Sequence, residues 1–117
     1  MPRRLSPAEE KLLHRFVERL LAIVPVGIVR AVVVFGSRAR GGSNERSDLD
    51  VAVEIAPEAD VLALRHLASG VADGVMSEMD AYGLGLSVLV LPPGPPTGVR
   101  GAIQRDGIRV WSWEAAA

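Results

Sequence analysis

Leu12, Leu13, Phe16, Val17, Leu20, Leu21 and Val24 recur at helical spacing and leave Glu10, His14 and Glu18 on the opposite side, which predicts an amphipathic first helix. Its start is written in Ser6-Pro7-Ala8-Glu9: Ser6 caps, Pro7 suits the first helical position, and Glu9 closes a capping box three residues on. Pro25 and Gly27 end it. The pattern then changes period. Ile28 to Phe35 is β-branched and apolar apart from Arg30, as expected of a strand covered on both faces near the middle of a sheet. Gly36 to Ser47 is rich in Gly, Ser, Asn and Arg and reads as a loop, with room for one helical turn at Ser37 to Arg40. Asp48 to Ile55 alternates, with Leu49, Val51, Val53 and Ile55 facing one way and Asp48, Asp50, Ala52 and Glu54 the other, so a half-buried strand with an acidic face is expected.

After Pro57 a helix is predicted from Glu58 to about Met79, with Val61, Leu62, Leu64, Leu67, Ala68, Val71 and Val75 as its apolar stripe and Gly70 and Gly74 weakening it. Leu84 to Leu91 reads as a strand stopped by Pro92-Pro93-Gly94-Pro95-Pro96, Val99 to Arg105 as a short helix, and Ile108 to Trp113 as a last strand at the sheet edge after the Asp106-Gly107 turn. Trp111 and Trp113 would share one face of that strand, for edge packing or for a partner.

Composition narrows the chemistry. A length of 117 residues fits one domain, 1–117, and 49% hydrophobic with only 4% aromatic residues requires an aliphatic core. A net charge of −1 and the absence of long basic runs do not point to nucleic acid. Without cysteine there is no disulfide, no thiolate catalysis and no cysteine-ligated zinc. Met1-Pro2-Arg3-Arg4 is followed by Glu9, Glu10 and Lys11 and not by an apolar stretch, so no secretory leader is expected. Apolar runs such as Ala31 to Phe35 fall far short of the roughly 20 residues that span a bilayer. A soluble cytoplasmic protein with no membrane partner is the expectation.

The chemically informative segment is Phe35-Gly36-Ser37-Arg38-Ala39-Arg40-Gly41, then Asp48-Leu49-Asp50. Gly36 off a buried strand lets backbone approach a phosphate, Ser37 offers a hydroxyl, and a helical turn there would aim unpaired N–H groups at the same anion. Arg38 and Arg40 add charge-assisted donors. Asp48 and Asp50, two positions apart in a strand, project from one face with Cα atoms roughly 6 to 7 Å apart, a hard-oxygen pair suited to Mg²⁺. Taken singly, a Gly-Ser after a strand is an ordinary turn and two alternating acids are an ordinary solvated face; their order and proximity raise the phosphate and metal reading. A P-loop is dismissed because Gly42 stands where its lysine would be and the next strand follows too soon for a long helix.

Gly36-Ser37-Arg38-Ala39-Arg40-Gly41 with Ser47-Asp48-Leu49-Asp50 resembles the Gly-Ser-x-Ala-Arg-Gly and Ser-Asp-x-Asp signature of the polymerase-beta-like nucleotidyltransferases, in particular their minimal, MNT-type members. The motif covers Phe35 to Val53, and the order of elements is similar over most of the chain. The resemblance implies an α+β (α/β) nucleotidyltransferase fold, a mixed β-sheet flanked by helices in the order α-β-β-α-β-α-β. It implies a triphosphate held at Gly36-Ser37, to which Arg38 and Arg40 would add their donors, and Mg²⁺ held at the catalytic pair Asp48 and Asp50. It also implies a third carboxylate on a later strand, where this chain has Leu86-Ser87-Val88-Leu89-Val90, with Ser87 at the expected position. Glu54 would lie about 13 Å from Asp50 along the strand, too far to share a metal. Glu78 and Asp80 precede the later strand and would have to fold back over the site; their ordinary role is solvated charge. His14 and His66 lack partners at ligand spacing.

Minimal members resemble one half of a pair with a helical HEPN-type protein, some acting as antitoxins that transfer AMP from ATP to a tyrosine of that toxin. The expected function is therefore nucleotidyl transfer to a HEPN-type partner. The alternatives are a silent module that neutralises its partner by binding, favoured by Ser87, and a small-molecule nucleotidyltransferase with its acceptor site at the seam of a homo-oligomer.

Overall fold

The structure, a computed structural model, describes residues 5–36, 49–79 and 85–116. Helix α1 (Pro7–Ile23) begins as its sequence requires. The Glu9 N–H donates to the Ser6 hydroxyl at 3.1 Å and the Ser6 N–H donates to the Glu9 carboxylate at 2.7 Å, so two N–H groups left open by the first turn are satisfied reciprocally. Strand β1 (Val29–Phe35) is buried except at Arg30 and its last residue, and β2 (Leu49–Ile55) is buried except at Asp50 and Glu54, which are half-buried.

Helix α2 (Val61–Glu78) starts three residues later than its periodicity suggests, because Asp60 caps it by accepting the Ala63 N–H at 3.1 Å. Its buried stripe is also narrower than expected. Leu64, Ala68, Ala72 and Val75 are covered, whereas Leu62 is 71% and Leu67 42% exposed. The stripe follows the i, i+4 row that meets the sheet, and hydrophobicity at Leu62 and Leu67 does not rotate the helix to bury them. Strand β3 (Leu86–Leu91), helix α3 (Val99–Asp106), strand β4 (Ile108–Ser112) and a short terminal helix α4 (Trp113–Ala116) complete the chain.

Among the described residues the strands form one mixed sheet in the order β3-β2-β1-β4. β1 runs antiparallel to β2 and β4, and β2 runs parallel to β3, with α2 as the crossover that a parallel pair needs. One face, carrying Val32, Val34, Val51, Val53 and Val90, packs on α1 and α2 and holds the main aliphatic core. The other carries Ala31, Val33, Ala52 and Leu91 and is covered by Ile103 of α3. This is the expected α+β architecture with β1 inside and β4 at an edge.

The last strand stops one residue short of its expected end. Trp113 opens α4, its ring beneath the Arg30 guanidinium at 5.2 Å from carbon to ring centroid, while Trp111 packs on the main core. The two tryptophans do not share a strand face, because α4 turns the chain after Ser112.

Arg15 and Arg19 of α1 both pair with Glu78 at the end of α2; the Arg15 contact is 2.7 Å. The Arg15 hydrogen bond, helped by the Arg19 charge, holds the Glu78 carboxyl below its ordinary value despite the opposing effect of desolvation. A carboxyl depressed in the folded state stabilises above its unfolded value, and that contribution disappears as pH falls through the folded one. Glu78→Gln is therefore expected to be slightly less stable than the parent near neutral pH, and equal to it once acid has protonated the carboxyl. The group is exposed, so the gap should be small and should shrink in high salt. Thermal melts at neutral and acid pH, at two salt concentrations, measure it.

Candidate functional site

The turn out of β1 is where the backbone becomes unusual. Gly36 has φ +78°, a conformation that residues with a Cβ rarely adopt. A Cβ there would also lie 2.4 Å from Oδ2 of Asp50 and 3.3 Å from its Cγ. The glycine is thus required twice, by its torsion and by the carboxylate seated against its backbone. The sheet register explains the meeting: Phe35 pairs with Asp50 across β1 and β2, and Asp50 pairs with Ser87 across β2 and β3.

Gly36, Asp50 and Ser87 consequently form a row across one end of the sheet. The row lies on the face turned away from α1 and α2, because the alternate residues of the same strands, such as Val51 and Val90, fill the main core. α3 covers this face farther along, over Ala52 and Leu91, and leaves Asp50 half-buried and Ser87 exposed. Register partners on neighbouring strands are about 4.8 Å apart, so position 87 is the cross-strand neighbour of Asp50. Ser87 contributes a hydroxyl there, a weak metal ligand and no base near neutral pH.

Ser37, Arg38, Arg40 and Asp48 lie outside the described residues, as does Asp80. Among the described residues no group of three or more His, Asp or Glu side chains is gathered closely enough to hold a metal ion. Glu78 does not fold over the site: its carboxylate is held by Arg15 and Arg19 on the α1 side of the sheet. Glu54 shares the face of Asp50 but stands four residues along β2, about 13 Å away. His14 and His66 are exposed on α1 and α2. One feature of this face escapes a reading of local motifs, a cleft lined by Arg30, Arg100 and Arg109 beside Glu54. Its residues are too far apart in sequence to form a motif, and only Arg30, polar inside an apolar strand, gave any signal.

No helix among the described residues is long and apolar enough to cross a membrane. No curated protein matches the sequence significantly. Solved structures share the fold. A Sulfolobus solfataricus protein assigned as a nucleotidyltransferase superposes with a TM-score of 0.61 at 24% identity, over 90% of this chain and 81% of that one. A chain of a toxin–antitoxin solved with AMP-PNP gives 0.56 at 20% identity, over 88% and 73%. A chain of the toxin–antitoxin MntA–HepT gives 0.55 at 17%, over 92% and 75%. The family model for "Polymerase beta, Nucleotidyltransferase" matches residues 26–88, more than half of the chain and the whole span from the end of α1 through the row Gly36, Asp50 and Ser87. The chain belongs to the polymerase beta nucleotidyltransferase family.

Proposed function

We propose that this protein transfers AMP from ATP to a hydroxyl of a protein partner, as the antitoxin of a HEPN-type toxin. The observation that carries the reading is the contact between Gly36 and the Asp50 carboxylate, which sets a phosphate-approachable backbone against a hard anionic oxygen. The family match and the likeness to toxin–antitoxin chains, one of them solved with AMP-PNP, support donor and partner. A cytoplasmic location fits a reaction that draws on ATP.

In this reading Asp48 and Asp50 hold Mg²⁺, for which an all-oxygen donor set is suitable. The bound ion would neutralise phosphate charge and stabilise the leaving group. Gly36 and Ser37 receive the triphosphate, and Arg38 and Arg40 supply charge-assisted donors to it. The acceptor oxygen forms a bond to the α-phosphorus, the bond from that phosphorus to the bridging oxygen breaks, pyrophosphate leaves with the electron pair, and the hydroxyl proton passes to solvent. Ser87 cannot take that proton near neutral pH, so the reaction depends on orientation and charge stabilisation.

Ser87 also favours a second reading, a module that keeps the fold and neutralises its partner by complex formation alone. Incubation with α-³²P-ATP, Mg²⁺ and a HEPN-type partner decides between them. Label on the partner is expected. A tight complex that never acquires label would establish the module instead.

A further inference from the structure

The cleft on the Asp50 face has a volume of about 380 Å³ and brings together side chains from three separate elements: Arg30 of β1, Arg100 of α3 and Arg109 of β4. Among the described residues Glu54 of β2 is the only acid that lines it, which leaves two net positive charges on the described lining. Two of the three guanidiniums are held by neutral partners. Arg30 donates to the Gly27 carbonyl at 2.8 Å and stacks on Trp113, and Arg100 donates twice to the Pro92 carbonyl, at 2.9 and 3.2 Å. Gly94 makes room for Arg100, since a Cβ there would fall 2.8 Å from its guanidinium carbon. Among the described residues Glu54 forms no ion pair with any of the three, and Arg109 has no ion-pair partner. Each guanidinium has five N–H donors, so most of the donors in this cleft remain unspent.

We propose that this cleft binds carboxylates of an acidic, extended segment of the protein acceptor. The proposal rests on the transfer reading above for its acceptor. Two observations favour spaced carboxylates over one phosphate. The wall beside Arg100 includes Pro92, Pro93 and Pro96, which have no N–H with which to build the backbone cradle that phosphate sites use. Glu54 also lines the cleft, and its carboxylate would repel a multiply charged phosphate more strongly than single carboxylates. Glu54 lies about 13 Å along β2 from Asp50, the reach of about four extended residues. A segment anchored here would present a hydroxyl about four residues away to the row of Gly36, Asp50 and Ser87.

The test is a calorimetric and NMR titration of the full chain with an octaglutamate peptide, without ATP or metal, with inorganic pyrophosphate as the second probe. The peptide is expected to bind, more weakly as salt rises. Binding should weaken about tenfold or more in the Arg30→Gln/Arg109→Gln double variant, and should be unchanged in Glu78→Gln, whose carboxylate is on the α1 side of the sheet. Both arginines are exposed, and thermal melts verify that the double variant is folded. Failure of the peptide to bind, binding indifferent to the two arginines, or binding of pyrophosphate alone in this cleft would each overturn the proposal. Because no transfer is measured, absence of label in the ³²P experiment leaves the cleft's result standing and removes only its assignment to an acceptor of transfer.

Discussion

Asp50→Asn is expected to lower the rate of AMP transfer by at least about 100-fold while leaving the chain folded. The two halves of that expectation come from different properties of one side chain. A metal acting on a transferring phosphoryl group supplies several kcal/mol of charge stabilisation, and each ~1.4 kcal/mol is a factor of ten in rate. Asparagine keeps the shape but loses the charge and one anionic oxygen. Asparagine also keeps the volume of the side chain at a half-buried position outside both hydrophobic clusters, so the chain should still fold. Single-turnover assays with labelled ATP across a Mg²⁺ titration, beside thermal melts of the same samples, separate the two. An asparagine variant that kept a third of the parent rate would remove Asp50 from the chemistry.

Ser87→Asp should act in the opposite direction. The new carboxylate would stand in register beside Asp50, on an exposed position where substitution costs the fold little. Two like charges directly opposite each other cost up to about 1 kcal/mol, so in chelator the variant should melt a few degrees lower than the parent. Mg²⁺ should reverse the order, because an ion bound between the two acids stabilises only the folded chain. A base within reach of the acceptor proton contributes typically about 10²- to 10⁴-fold, so transfer should rise by at least about tenfold. If Mg²⁺ shifted both proteins equally, position 87 would lie outside the reach of any metal at this site.

The parts of the fold that could be read in advance are those specified by neighbours in sequence. The Ser6–Glu9 box, the continuous apolar run of β1 and the alternation of β2 each follow from residues a few positions apart, and each is found where its pattern lies. The misreadings involve residues brought together over long distances. Glu78 reads as an ordinary solvated charge, and its pairing with Arg15 was hidden because nothing near it in sequence announces a residue 63 positions away. Leu62 and Leu67 looked buried because hydrophobicity alone does not say which part of a helix face the sheet will cover. Trp113 looked like a strand residue because its packing on Arg30 depends on a turn after Ser112 that has no strong local signal. At the site, Gly36 and Asp50 stand out in the motif, but their direct contact depends on the register of β1 with β2. The arginine cleft was illegible for the same reason: Arg30, Arg100 and Arg109 meet only because α3 folds back over the sheet.

The placement of Ser87 has an evolutionary consequence. β3 is an edge strand, and its exposed position 87 supports neither hydrophobic cluster, so selection for folding and selection for chemistry fall on different residues there. A lineage could lose or regain an acid at this position while keeping its fold, and so alter the rate of the proposed transfer by a single substitution. Position 36 allows no such drift, since any side chain would strike the Asp50 carboxylate.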